Sequence, residues 1–206
     1  MSKKENTKFD YFGYGLYAFG VIGLELIIIN IVKNLYNNFN LSYVTENILN
    51  LIITTIVWSS LGLVLYNKIP KKNYNISKKD FIISSILLIL SIIYTSYMWK
   101  GLKPVIEYNN LGLINFIFQY IYYLAESFLI ALIIAFGDLA FNKKDSILPL
   151  GGIFLALTWG LMHIFLQDLN TGIYCIILSI IYGFIHIALK FNFKYTYIFI
   201  ALSFLI

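Results

Sequence analysis

The chain has 206 residues, of which 60% are hydrophobic, 18% aromatic and 12% charged, with a formal net charge of +5 at pH 7. So small a polar fraction cannot cover a water-soluble globule of this size, which excludes a soluble enzyme and points to an integral membrane protein. The single cysteine, Cys175, lies in an apolar run and is read as packing; an intramolecular disulfide is excluded.

Met1 to Asp10 carry Lys3, Lys4 and Lys8 ahead of an apolar run that is longer than a signal-peptide core and lacks a small-residue cleavage pattern. It is therefore read as a retained first helix. Apolar runs of about 20 residues, separated by Lys, Asn and Pro clusters, predict seven spans near 11–32, 46–66, 81–99, 112–140, 148–166, 171–189 and 195–206. The fourth is over-long and has to tilt, kink or protrude, and the seventh is short. No repeat, Pro-rich linker or composition shift marks a boundary, and the loop from Lys71 to Asp80 is too short to fold alone. The expected architecture is one all-α integral membrane domain over 1–206, a polytopic transmembrane bundle of about seven helices.

Lysine placement sets the expected orientation. A cytoplasmic N-terminus puts Lys3, Lys4, Lys8, Lys68, Lys71, Lys72, Lys78, Lys79, Lys143, Lys144, Lys190 and Lys194 inside and leaves only Lys33, Lys100 and Lys103 outside. Lys-rich short loops resist translocation, so the bundle is expected N-in and C-out. Orientation accounts for these lysines, and no nucleic-acid partner is read into them.

Glu126, within Gln119 to Ile130, and His163, within Leu155 to Ile164, interrupt stretches that otherwise read as lipid-spanning. An ionisable group there costs about 2.5–3.5 kcal/mol on insertion scales and calls for a partner or a role. On the expected topology His163 lies about 4–5 Å below the external boundary and Glu126 near mid-membrane, so the two are expected to meet. His186 falls about 20 Å from His163 in depth, towards the cytoplasmic end, so the histidines are not expected to share a metal ion. Close to Lys190, His186 reads as a solvated interfacial residue, and Asp138, Asp145 and Asp168 read as solvated span ends. Glu25 is a second intramembrane acid without a local motif, and structural and functional readings of it stay open. Tyr122, Tyr123, Tyr174 and Tyr182 either line a lipid groove or serve packing and interfacial anchoring. The chain has no Gly-rich phosphate loop, paired-Cys motif, His-Glu-x-x-His or Gly-x-Ser-x-Gly elbow, so any chemistry has to be assembled from several helices.

Ala125-Glu126-Ser127 in one span, followed by Trp159-Gly160-Leu161-Met162-His163 in the next, resembles the CPBP superfamily, which includes CAAX-processing and bacteriocin-processing intramembrane proteases. That pattern has a Glu-Glu-x-x-x-Arg helix, a Phe-x-x-x-His helix and a later His-x-x-x-Asn helix, and the likeness covers about residues 112–206. Carried over, Glu126 matches the leading acid, His163 the second motif's histidine and Trp159 its aromatic partner. Ser127 stands for the second acid, Ala131 lies near the expected Arg in a chain without arginine, and the last histidine falls near Ser203.

The resemblance implies a multi-pass protein of a bacterial plasma membrane with Glu126 and His163 as catalytic residues and Trp159, Ser127 and Ser203 as supporting or substrate-binding ones. With the third motif departed from, one His and one carboxylate would ligate a metal poorly, so no cofactor is favoured. A metal-free Glu-His couple suits acid-base work, the acid orienting the imidazole, and acyl transfer fits it. The resemblance to divergent members of the superfamily in Gram-positive bacteria, implicated in lipoprotein N-acylation at the outer face of the membrane, implies that reaction as the expected function. The alternatives are a CAAX-type metallopeptidase with zinc on Glu126 and His163, and a non-catalytic immunity or scaffold protein. Expected partners are membrane lipid, a lipoprotein or peptide substrate, and, in the scaffold case, another protein.

Overall fold

A computed structural model describes residues 6–39, 43–71, 75–141 and 147–206 of the chain. Lys3, Lys4, Lys72, Lys143, Lys144 and Asp145 lie outside the described residues. The described residues form seven helices and no strand: α1 (Lys8–Phe39), α2 (Tyr43–Tyr66), α3 (Lys78–Met98), α4 (Lys103–Phe141), α5 (Leu150–Leu166), α6 (Leu169–Ala188) and α7 (Phe193–Leu205). Against the seven spans that the sequence predicts, five helices, α1, α2, α3, α4 and α6, are long and apolar enough to cross a membrane, and α5 and α7 are shorter apolar helices.

Helix starts follow local chemistry. Ser77 and Asp80 form a reciprocal capping box at α3, the Ser77 hydroxyl accepting from the Asp80 N–H and the Asp80 carboxylate accepting from the Ser77 N–H. Asp168 caps α6 by accepting from the N–H groups of Asn170 and Thr171, and Asn192 caps α7 by accepting from the Tyr195 N–H. Asp80 also pairs with Lys190 at 3.3 Å, tying the start of α3 to the turn after α6.

α4 is the core helix. It packs against α1, α2, α5, α6 and α7, while α6 joins α3, α5 and α7. Of its apolar window 78% is buried inside the protein, against 17% for α3, so α4 reads as a central strut and α3 as a peripheral one. The residue pattern explains this, since Leu129 to Ile134 are apolar on every face and a helix of that kind has to be surrounded.

α4 begins nine residues before the expected span and resolves its excess length by a break. Gly112 sits at φ 71°, ψ 168°, a conformation open to glycine and strained for other residues. The turns before it fold back as a short helical segment carrying Lys103 and Glu107, both buried. Lys103 is therefore not the external loop charge that lysine counting implies. α5 and α6 touch backbone to backbone, because a Cβ on Gly152 would lie 2.6 Å from the Ser179 carbonyl oxygen and 2.8 Å from the Gly183 Cα.

Two expectations about solvated residues are corrected. Asp138 is 4% exposed and His186 2% exposed, each enclosed near one end of the bundle. Helix-end position predicts water contact, but the Phe191 ring of the turn between α6 and α7 stands against His186, and Asp138 is held against Gly151 at the start of α5. Asp168, by contrast, is exposed.

Candidate functional site

On each helix that meets the centre of the bundle, residues at i, i+3, i+4 and i+7 share a face. Gln119, Tyr122, Tyr123 and Glu126 of α4 and Trp159, Met162, His163 and Leu166 of α5 converge in this way on one cavity of about 360 Å³. α1 contributes Phe19, Ile22 and Glu25; α6 contributes Tyr174, Cys175 and Tyr182; α7 contributes Ser203 and Phe204. Tyr122, Tyr123, Tyr174 and Tyr182 thus all line it.

Trp159 organises the two residues singled out from the sequence. Its indole N–H donates to Glu126 Oε1 at 3.0 Å, and its own carbonyl oxygen lies 2.8 Å from His163 Nδ1. A carbonyl oxygen only accepts, so His163 Nδ1 carries the proton and, in the neutral ring, Nε2 keeps its lone pair. The indole and imidazole rings are 4.6 Å apart at 62°. The carboxyl group therefore meets the indole and not the imidazole, so the acid-orients-imidazole arrangement expected from the sequence is replaced by two bonds through Trp159. Trp159 lies in a widened π-type turn, Ala156–Gly160, marked by the Leu161 N–H bonding to the Ala156 carbonyl. Such turns recur at functional sites because they re-aim side chains within an otherwise regular helix.

Two further carboxyl groups and one ammonium complete the electrostatics. Glu25 accepts from the Tyr122 hydroxyl at 2.9 Å and lies within electrostatic reach of both Glu126 and His163. Lys103 donates to the Phe204 carbonyl oxygen at 2.7 Å, sits 3.8 Å from the Tyr123 ring centroid and interacts with Glu107 and Glu126. Glu107 accepts from the Tyr123 hydroxyl at 2.5 Å. At this depth each charge has an opposite charge, a π face or a hydrogen-bond donor beside it.

Ser203 faces the cavity within a hydroxyl cluster, 2.8 Å from the Ser91 hydroxyl and 3.0 Å from that of Tyr182. Ser127 is not among the lining residues; fully buried, it donates to the Leu124 carbonyl of its own helix. The side chains of metal-ligating type that line this cavity are Glu25, Glu126, His163 and Cys175, and among the described residues no three His, Cys, Asp or Glu side chains are grouped to hold an ion.

Sequence reasoning missed Lys103 and Glu107 and left Glu25 undecided. The local signal is the i, i+4 spacing of Lys103 and Glu107, but the Lys-Pro-Val-Ile-Glu-Tyr-Asn-Asn segment that carries it reads as a loop. Comparison of the chain with protein-family models, curated proteins and solved structures gives no match.

Proposed function

We propose that the chain is a membrane-embedded, CPBP-like acid-base enzyme that transfers an acyl group to a lipid-linked protein or peptide, as in bacterial lipoprotein N-acylation. The observation that carries this reading is His163. Its Nδ1 is held by the Trp159 carbonyl, which leaves Nε2 as a base on a side chain lining a cavity shared with Glu25, Lys103 and Glu126. A volume of about 360 Å³ falls within the range of small-molecule sites, and aromatic walls suit an acyl chain.

In this reaction a substrate amine attacks the carbonyl carbon of an ester-linked acyl group. His163 Nε2 takes the amine proton as the C–N bond forms, the ester C–O bond breaks, and the imidazolium returns the proton to the departing alkoxide. Glu25 and Glu126 stabilise the transient imidazolium, and the Lys103 charge suits the negative charge that develops on the carbonyl oxygen. Positioned proton transfer of this kind contributes about 10²–10⁴-fold in rate. An outer-leaflet site on an N-in bundle supplies access to lipid-linked substrates.

Mass spectrometry of lipoprotein N-termini from cells with and without the protein tests the proposal. His163→Ala is expected to abolish N-acylation and Glu126→Gln to lower it at least tenfold, with both variants accumulating normally. Acylation at the wild-type level in His163→Ala overturns the reading. Shortened peptides in place of acylated ones would assign the cavity to hydrolysis, with water replacing the amine. Function that survives both substitutions would assign the chain to a scaffold.

A further inference from the structure

A second cavity, of about 340 Å³, lies where α2, α4 and α6 end and α7 begins, and it is lined by Tyr66, Asp138, His186 and Phe193 with Lys71 and Lys194. Asp138 is a dozen residues from Glu126 on the same helix, about 18 Å along its axis, so this is a separate place in the molecule. It takes no part in the chemistry proposed above.

Two acceptors lie buried at the floor of this cavity. Asp138 Oδ1 accepts from the Gly151 N–H at 3.0 Å, but among the described residues Oδ2 has no hydrogen-bond partner. Across from it at 3.8 Å, too far for a direct hydrogen bond, lies His186 Nε2. The Thr196 hydroxyl donates its one proton to the Asn192 carbonyl, so at 2.7 Å it accepts from His186 Nδ1 and leaves Nε2 with its lone pair. A carboxylate oxygen and an imidazole nitrogen thus face one another with no donor between them.

The walls narrow the class of ligand. Tyr66, Phe191 and Phe193 are aromatic, and the Phe191 ring stands edge-on to His186 at 5.4 Å. Lys190 and Phe191 both take left-handed backbone conformations, at φ 55° and 59°, which is unusual for side chains of this size and shapes the turn that roofs the cavity. Aromatic faces, a carboxylate and a second acceptor together recognise a cation that also donates hydrogen bonds. Lys71 and Lys194, both exposed, ring the same cavity and repel a bare cation while attracting an anion attached to it.

We infer that this cavity binds a primary ammonium group carried next to a phosphate, as in the headgroup of an aminophospholipid or in free phosphoethanolamine. The ammonium bridges Asp138 Oδ2 and His186 Nε2, and the phosphate lies against Lys71 and Lys194. The position at the helix ends, level with a membrane surface, favours the lipid as its source.

The full-length protein is reconstituted with equal amounts of phosphatidylethanolamine, phosphatidylcholine and phosphatidylglycerol, and the lipids retained through native mass spectrometry are counted. Phosphatidylethanolamine is expected to exceed phosphatidylcholine at least fivefold, because trimethylation removes the N–H donors while keeping charge and phosphate. Asp138→Asn keeps an acceptor for the Gly151 N–H, so the fold persists, and the ratio is expected to fall to about one. Lys71→Gln with Lys194→Gln alters exposed side chains alone and is expected to lower phosphatidylethanolamine retention severalfold. Displacement by millimolar phosphoethanolamine would place the soluble compound in the same site; retention against it would assign the site to the lipid. Equal retention of the two lipids by the wild type, or an undiminished preference in Asp138→Asn and in the double lysine variant, overturns the inference.

Discussion

Replacing Trp159 with Phe removes one hydrogen-bond donor and leaves an aromatic ring against His163. The indole N–H donates to Glu126 Oε1 at 3.0 Å, and both residues are buried, with Glu126 8% exposed and Trp159 4% exposed. A buried acceptor that loses its donor costs about 1–3 kcal/mol, and more when it is charged. At about 1.4 kcal/mol per tenfold, a loss of 2 kcal/mol lowers the folding equilibrium about thirtyfold. Indole-to-benzyl truncation adds a packing loss of its own, so the bond is best isolated by a double-mutant cycle with Glu126→Leu. The coupling is expected at about 1 kcal/mol for a neutral acid and about 1.5–3 kcal/mol for a carboxylate. Because the double variant removes both polar partners together, it is expected to be less destabilised than the two single losses added. Denaturant unfolding in mixed micelles, followed by far-ultraviolet circular dichroism, measures all four species. Additive losses, with a coupling below about 0.5 kcal/mol, would refute the claim that Trp159 joins α5 to α4 through Glu126.

Gly152→Ala drives a Cβ into the Ser179 carbonyl and Gly183, and thermal unfolding is expected to show a loss of about 1–3 kcal/mol. Gly13→Ala in α1, where nothing lies within 4 Å of the new Cβ, is expected to be neutral or to gain up to about 1 kcal/mol in the same measurement. Gly112→Ala likewise meets no atom within 4 Å, so any loss comes from its φ of 71° alone, expected at about 1–3 kcal/mol; unchanged stability would show that the break is not required. At the start of α6, the Thr171 hydroxyl and N–H, helped by the Asn170 N–H, hold the Asp168 carboxyl below its ordinary range. A depressed carboxyl stabilises the fold fully above the unfolded value of about 3.9, and that contribution is lost as pH falls through the lower folded value. Asp168→Asn keeps a cap acceptor without the charge, so the difference in melting temperature between wild type and variant is expected to be present at pH 6 and to shrink progressively as pH falls below about 3.9.

Much of the candidate site was legible because ionisable groups in lipid-facing sequence are costly. Glu126 and His163 stand out against Leu, Ile and Phe; Tyr122 and Tyr123 share a helical face with Glu126, while Tyr174 and Tyr182 reach the same cavity from α6. Lys103 was not legible, since a lysine two residues after Gly101 and beside Pro104 has the pattern of a loop charge. Its burial depends on the Phe204 carbonyl and the Tyr123 ring, contributed by residues far along the chain or across the Gly112 break. Asp138 and His186 were misread for a related reason. Depth counted along a helix says how near a residue is to the membrane surface, and it does not register the neighbouring elements that pack against it.

By itself the sequence determined the helical class, the approximate helix bounds and two of the ionisable groups at the site, Glu126 and His163, because these follow from apolar transfer, helical periodicity and capping, all local along the chain. The tertiary structure decided which groups meet. Trp159 bonds Glu126, and Asp138 faces His186, because the close backbone contact at Gly152 and Gly183 and the break at Gly112 set the rotation and offset of each helix. Rotation and offset are properties of packed pairs, and no run of residues within one helix carries them.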